Sequence, residues 1–172
     1  MQKNKLLWIA LIVLAILGLI GYLFYSQKNQ NSALNSFNAP VIYKNLDYGF
    51  SFYLPSSWQG YSIITKEWNG VPLKNEVTQA GSKIIIRNPK WTASTPYEDL
   101  PLLIFTIPQW ESYVADEFSI GAAPIRASEL GRNNKYVFAL PARWDFDYSV
   151  NYKEAQDIFL GKPLRTFDVK QS

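Results

Sequence analysis

The sequence predicts an α+β fold: one domain with a largely antiparallel sheet and about two packed helices, joined to an N-terminal transmembrane helix. Three observations carry this prediction. Residues 6–25 form a charge-free apolar run. Residues 41–172 alternate short strand-like runs with turn signals. Within that stretch, two segments open with helix-capping patterns and continue with apolar residues at helical spacing.

The N-terminal run, LLWIALIVLAILGLIGYLFY, has the length of a membrane-spanning helix. At about 1.5 Å per residue it forms a helix of about 30 Å, the thickness of a hydrocarbon core. Trp8 lies near one end of the run, and Tyr22 and Tyr25 lie near the other, where interfacial aromatic residues are common. We therefore expect residues 6–25 to anchor the chain in the lipid bilayer.

The charges beside this run predict its orientation. Lys3 and Lys5, with the amino terminus, precede the run, whereas Lys28 follows it. Because the more positive flank stays in the cytoplasm, residues 1–5 should be cytoplasmic and the C-terminal domain should be extracytoplasmic at the cell membrane. The alternative is a cleaved signal peptide, whose apolar core usually spans about 7–15 residues and ends at a small-x-small site. The run here is longer, and the polar segment SQKNQNS follows it.

The rest of the chain divides into a linker and a domain. Residues 26–40 (SQKNQNSALNSFNAP) are polar and without periodicity, which predicts a flexible linker. Residues 41–172 have the size of one ordinary domain. They contain 14 of the 17 basic residues, since Lys3, Lys5 and Lys28 precede them, and all 14 acidic ones. The domain is therefore formally neutral, and we expect no nucleic-acid partner.

The chain contains neither cysteine nor histidine. This excludes disulfides, thiolate metal sites, cysteine nucleophiles and Ser-His-Asp triads. Histidine is also the commonest metal ligand and the usual general base near neutral pH. No phosphate-binding, dinucleotide-binding or nucleophile-elbow motif occurs. We therefore predict no catalytic residue, no metal site and no cofactor.

Alternation and β-branched runs predict the strands. Phe50, Phe52 and Leu54 alternate with Ser51 and Tyr53, as in a strand that is buried on one face. The apolar run at residues 102–106 predicts a central strand that is covered on both faces. Residues 61–66 are predicted to form a strand that pairs with residues 50–54. Two more strands are predicted at residues 83–87 and 136–140, and a final edge strand at 164–169. Residues 71–82 are predicted to form a loop.

Two helices are predicted among these strands. Residues 106–109 (TIPQ) fit a capping box with proline in the first turn. The apolar face of this helix would consist of Ile107, Trp110, Val114 and Phe118. Residues 151–154 (NYKE) form a weaker capping box. The second helix would place Ala155, Ile158 and Phe159 on its apolar face and end at Gly161, before Pro163.

Residues 43–58 (YKNLDYGFSFYLPSSW) resemble the opening of bacterial Mog1/PsbP-like domains. In that class a Tyr-Gly-Phe-Ser-Phe-type strand runs into a Pro-x-x-Trp turn. The resemblance implies an α/β/α sandwich around an antiparallel sheet. It also implies an adaptor or assembly role rather than an enzyme, and it carries over no functional residue.

Tryptophan and arginine supply the candidates for binding. Trp68, Trp91 and Trp144 lie in loop-like segments, and Arg87 and Arg143 lie near two of them. Exposed tryptophan and arginine side chains dominate binding hot spots, and arginine can stack on an indole ring. These residues are therefore the predicted binding candidates, with packing in the core as the alternative. Core packing is the expectation for the remaining tryptophans of the domain, Trp58 and Trp110.

The strand predicted at residues 83–87 has two different faces. Lys83, Ile85 and Arg87 share one face, whereas Ile84 and Ile86 share the other. The first face predicts either a small basic patch for an acidic partner or a solvated sheet surface.

Carboxylates offer the remaining catalytic possibility. Glu98 and Asp99 are adjacent, and so are Asp116 and Glu117. Glycoside hydrolysis needs two carboxylates about 5–9.5 Å apart across a cleft, which adjacency in sequence does not provide. Residues 145–149 (DFDYS) begin like a calcium loop but lack the glycine and glutamate that such a loop requires later. Turn or capping roles are the alternative.

The sequence thus predicts a membrane-anchored, noncatalytic extracytoplasmic domain that binds a protein, a peptide or an envelope component. Its partners would be the bilayer, through residues 6–25, and an unknown protein or envelope component. Two other functions stay open. One is a structural subunit of a membrane complex, with the apolar helix as its main contact. The other is a carboxylate-based envelope hydrolase.

Overall fold

A computed structural model of the chain describes residues 39–74, 78–121, 125–142, 144 and 150–170. The predicted anchor at residues 6–25, with Trp8, Tyr22 and Tyr25, lies outside these residues, and so does most of the predicted linker. Among the residues described, no helix is both long and apolar enough to cross a membrane. The chain divides by its contacts into Met1–Ala39 and Pro40–Ser172, and the fold given below is that of the second part.

The described residues form ten β-strands, two α-helices and one short 3-10 helix at Ser56–Trp58. In chain order the elements are β1 (Val41–Asn45), β2 (Phe50–Leu54), β3 (Ser62–Asn69), β4 (Val71–Pro72), β5 (Ala80–Arg87), β6 (Leu100–Thr106), α1 (Ile107–Val114), β7 (Phe118–Ser119), β8 (Ser128–Arg132), β9 (Tyr136–Leu140), α2 (Tyr152–Leu160) and β10 (Leu164–Thr166).

The strands form three antiparallel sheets. The largest has five strands in the order β3-β5-β6-β9-β8, the second has three in the order β1-β2-β10, and the third pairs β4 with β7. All of these neighbours are antiparallel. The predicted α+β class is therefore confirmed, and so is the central position of the strand at residues 102–106.

The five-stranded sheet is covered on both faces. The first core fills the space between this sheet, β2 and α2. It contains Phe50, Phe52 and Leu54 of β2, whose alternation with the outward-facing Tyr53 confirms the predicted half-buried strand. The second core lies between the other face of the sheet and α1. Each fully buried large apolar side chain contributes roughly 1.5–3 kcal/mol, so both cores stabilise the sheet.

Helix α1 begins as predicted, but its apolar face differs. The Thr106 hydroxyl accepts a hydrogen bond from the Gln109 N–H (3.3 Å), and the Gln109 side-chain oxygen accepts one from the Thr106 N–H (2.9 Å). This confirms the capping box. Trp110 and Tyr113 face the second core, whereas Val114 is 46% exposed. The predicted place of Phe118 on the helix is also wrong, because α1 ends at Val114.

Helix α2 has the predicted apolar face without the predicted capping box. Ala155 and Phe159 are buried in the first core. Asn151 adopts a left-handed backbone conformation (φ 69°), and its side chain contacts the Glu154 carboxylate instead of a backbone N–H. The prediction of a box at residues 151–154 is therefore wrong. Gly161 caps the helix C-terminus as expected.

The strand pairing corrects two further expectations. Residues 61–66 are predicted to pair with β2, but β3 pairs with β5, and β2 lies between β1 and β10. The predicted loop at residues 71–82 contains β4 and the start of β5. Alternation specifies which face of a strand is buried, but it does not specify the neighbouring strand. The strands β1, β4, β7 and β8 were not predicted, and β10 is an edge strand shorter than expected.

Trp68 belongs to the second core, so its prediction as an exposed loop residue is wrong. It lies in β3, its side chain is 3% exposed, and its ring centroid is 4.7 Å from that of Phe105. Its indole N–H donates a hydrogen bond to the Ile104 carbonyl oxygen at 2.9 Å. Opposite it in β5 is Gly81, which has no side chain, and the indole occupies the space beside it.

We expect Gly81→Ala to lower the free energy of unfolding by about 1–3 kcal/mol, the usual cost of overpacking. The new methyl group would overlap the Cζ2 atom of the Trp68 ring. Urea denaturation, followed by circular dichroism, measures this loss. Gly131→Ala is the matched control, since its new Cβ would lie 3.4 Å from Leu164, at contact distance. Equal losses in the two variants would contradict the packing of Trp68 against Gly81.

Candidate binding surface

The outer edge of β3 is the longest sheet edge among the described residues. β3 is an eight-residue end strand of the five-stranded sheet. At the other end, β8 is five residues long and contacts β10, where the Thr166 hydroxyl donates to the Arg132 carbonyl oxygen at 2.8 Å. Within the described stretches, the only strand that pairs with β3 is β5. A strand edge of this kind can pair with another chain.

The ladder between β3 and β5 shows which backbone groups point outward. The Gly70 N–H donates to the Gln79 carbonyl oxygen (2.7 Å), so this pair extends the ladder as a hydrogen-bonded pair. In an antiparallel ladder such pairs alternate with pairs that do not bond each other. The N–H and C=O groups of Ile63, Thr65 and Glu67 therefore point to the open side of β3.

The two faces of β3 differ in chemistry. Ile63 packs against the first core. On the opposite face, Ile64 lies across from Ile85, and Lys66 lies across from Lys83. Ile64 is half-buried and Lys66 is exposed. A strand added to β3 would thus meet an apolar position and a basic position on the face that carries α1.

Lys66 and Lys83 are directly opposed like charges. Cross-strand neighbours of the same charge repel each other. The pKa of the Lys83 ammonium group is lowered mainly by burial and, to a smaller extent, by the charge of Lys66. Among the residues described, no carboxylate lies within ion-pair distance of either lysine. Of the two predicted basic residues of this face, Lys83 lies across from Lys66 and Arg87 is paired with Asp99, and the role of this face in binding stays a prediction.

Arg87 and Trp91 form a stacked pair beside the first residue of β3. The Arg87 guanidinium carbon lies 3.8 Å from the centroid of the Trp91 ring. Its Nε and Nη2 atoms each donate to Oδ2 of Asp99 at 3.1 Å, and the Asn88 backbone N–H donates to Oδ1 at 3.2 Å. Arg87 pairs with Ser62 in the ladder. The Arg87 guanidinium therefore stacks on the Trp91 ring.

The other predicted binding residues are placed differently. Trp144 is half-buried, and its ring centroid lies 4.8 Å from that of Phe159, so it packs against the first core. Arg143 lies outside the described residues. Trp68 is buried near the opposite end of β3 from Arg87. The structure thus brings together two of the five candidates, Arg87 and Trp91, and their role in binding stays a prediction.

The acidic candidates are engaged in separate interactions. Asp99 pairs with Arg87, and Asp116 contacts Arg126. Glu98 is buried just before β6. Asp145 and Asp147 lie outside the described residues. Within the described part of the chain, no three acidic side chains gather as a metal site would require.

Sequence reasoning did not identify Lys66 or the open edge of β3. Residues 61–66 do carry the signal of a strand. An edge position, however, is a property of the sheet order, and the same residues in a central position would have no free backbone groups.

We expect Asp99→Asn to lower the free energy of unfolding by about 1.5–3 kcal/mol, because hydrogen bonds to a charged group are of this size. The Asp99 side chain is 19% exposed and accepts bonds from both Arg87 and Asn88. Asp157→Asn is the matched control, since its partner Lys153 is exposed and such helix pairs are worth about 0.3–0.5 kcal/mol. Guanidinium denaturation measures both losses. A smaller loss for Asp99→Asn than for the control would contradict a structural role for this pair.

We also expect Lys66→Gln to raise the pKa of Lys83, because the substitution removes one of the two causes of its lowering. A titration of the Lys83 13Cε chemical shift measures this change. Lys90→Gln, which removes an exposed lysine outside the ladder, is the control and should leave the value unchanged. If the Lys83 pKa were the same in both variants, the two lysines would not interact.

The lowered pKa also sets the sign of a pH effect. The folded value for Lys83 lies below the ordinary value of 10.5, so between the two values the unfolded chain binds more protons. The contribution of Lys83 to stability therefore rises with pH through that window. Below the window the group is charged in both states and its contribution is unfavourable. In Lys66→Gln the rise should be smaller.

We found no matching family model, no matching curated protein and no matching solved structure for this chain. The resemblance of residues 43–58 to Mog1/PsbP-like domains accordingly stays a prediction.

Proposed function

We propose that this chain is a membrane-anchored, noncatalytic module that binds an extended segment of a partner protein or peptide along β3. The observation that carries the proposal is the eight-residue edge of β3, whose only strand partner among the described residues is β5. The anchor at residues 6–25 and the extracytoplasmic position of the domain are parts of the proposal that rest on the sequence.

Strand addition fits this edge because the backbone groups are already in place. Ile63, Thr65 and Glu67 present alternating donors and acceptors, which supply affinity that does not depend on sequence. β3 is held in register with β5 over its full length. Trp68 anchors one end of β3 in the second core. A preformed edge loses little conformational entropy on binding.

Arg87 and Trp91 provide a second contact at the Ser62 end of this edge. The ion pair with Asp99 holds Arg87 in place, and Arg87 in turn stacks on the half-buried Trp91 ring. A restrained arginine and tryptophan pair has the composition of a binding hot spot. We propose that this pair contacts the end of the bound segment that lies beside Ser62.

The Mog1/PsbP-like sandwich belongs to the same proposal. Its support is that helices pack on both faces of the five-stranded sheet, α1 on one and α2 on the other, where the small sheet β1-β2-β10 lies with α2. An adaptor role, which the resemblance implies, agrees with binding through a sheet edge.

A structural subunit of a membrane complex is the second candidate. The exposed apolar side chains Val71, Leu73, Val114 and Ile125 support it, at 58%, 57%, 46% and 60% exposure. Leu73 and Ile125 also line a cavity of about 200 Å³. Exposed apolar side chains that lie together, as Leu73 and Ile125 do, are typical of protein contacts.

The test is photo-crosslinking in intact cells, with a photoreactive amino acid in place of Glu67 in the full chain. We expect crosslinks to one extended partner segment, identified by mass spectrometry. Thr65→Pro should abolish them, because proline removes an outward N–H but no hydrogen bond to β5. Thr65→Ala, which keeps the N–H, should retain them.

Two further measurements make this test decisive. Thermal unfolding should show that Thr65→Pro and Thr65→Ala are both folded. A photoreactive residue in place of Lys153, on the exposed side of α2, should not give the same adduct. Crosslinks that survive Thr65→Pro, or that form equally from position 153, would contradict binding along β3.

A further inference from the structure

We infer that the segment bound along β3 carries one aspartate or glutamate, directly opposite Lys66 on the face that carries α1. This inference rests on the proposed function and adds the chemistry of the partner. The geometry behind it is the row formed by Lys66 on β3 and Lys83 on β5.

Among the described residues, no carboxylate forms an ion pair with either lysine, and Glu67, the neighbour of Lys66 in β3, projects from the opposite face. Lys66 is the outer member of the pair and Lys83 the inner, half-buried one. Arg87, the third cation of this face, lies nearer the end of β5, and its charge is neutralised by the ion pair with Asp99. The charge that remains open to a partner is therefore that of the lysine pair.

A third strand beside β3 would bring a carboxylate to this charge. Adjacent strands lie about 4.8 Å apart, and directly opposed side chains have Cβ atoms about 4.5–5.5 Å apart. A carboxylate opposite Lys66 would contact the Lys66 ammonium group. It would lie two strands away from Lys83, with β3 between them. Opposite charges so placed attract each other, and the repulsion between the lysines would be offset.

The residues beside Lys66 on β3 restrict the sequence of the bound segment further. Ile64 precedes Lys66 on the same face and is half-buried, so the residue opposite it should be apolar. Glu67 projects from the other face and disfavours a second acid beside the first. The structure thus favours one acidic residue with an apolar residue two positions away, and not a generally acidic peptide.

A second copy of the domain does not meet this requirement. When two β3 strands pair antiparallel about a two-fold axis perpendicular to the sheet, residues of the same face lie opposite one another. Lys66 would then meet a residue of its own face, which consists of Ser62, Ile64, Lys66 and Trp68. None of these is acidic, so the occupant is a different polypeptide.

The experiment is a selection from a displayed library of peptides of about nine residues. The full chain in detergent is the target, and the Thr65→Pro variant is used to remove peptides that bind elsewhere. We expect the enriched peptides to contain Asp or Glu at one position, with an apolar residue two positions away. Replacing that acid with glutamine in a synthetic peptide should weaken binding about five-fold, the upper range for one cross-strand pair. Raised ionic strength should reduce this difference.

Charge reversal at position 66 is the decisive variant. Selection on Lys66→Glu should replace the acid by lysine or arginine, whereas selection on Lys90→Glu should keep the acid. Peptides that are enriched over Thr65→Pro without an acidic preference, or with a preference that Lys66→Glu does not change, would overturn this inference but not the proposed function. No enrichment over Thr65→Pro would overturn both.

Discussion

The fold depends on the burial of β6 on both of its faces. Leu102 and Ile104 point into the first core, and Leu103 and Phe105 point into the second. A strand with apolar side chains on both faces must be covered on both sides, because each exposed face would cost the burial energy of its side chains. Strands β5 and β9 therefore flank it, α1 covers one face, and the smaller sheet with α2 covers the other.

This arrangement leaves the two ends of the five-stranded sheet in different situations. β10 approaches β8, and Thr166 bonds to its backbone. β3 is held from one side by β5 and from the second core by Trp68. The one buried side chain of β3, that of Trp68, is thus one that was predicted to lie in a loop. Its burial holds one end of β3 against the second core.

Two of the successful predictions depended only on neighbours in the chain. The capping box at residues 106–109 needs only local geometry, and the alternation of Phe50, Phe52 and Leu54 reports one buried face. The box at residues 151–154 failed because the left-handed conformation of Asn151 prevents its side chain from capping the helix, and composition does not report this angle. Trp68 failed because its burial depends on Gly81, a residue on another strand.

The sequence by itself determined the α+β class, the central strand, two helices, and the absence of cysteine and histidine chemistry. Tertiary structure decided which strands are neighbours, that β3 is an edge, and that Lys66 lies across from Lys83. The physical reason is the range of the interactions. Periodicity and capping act within a few residues, whereas strand order follows from how two cores are filled at once by segments distant in the chain.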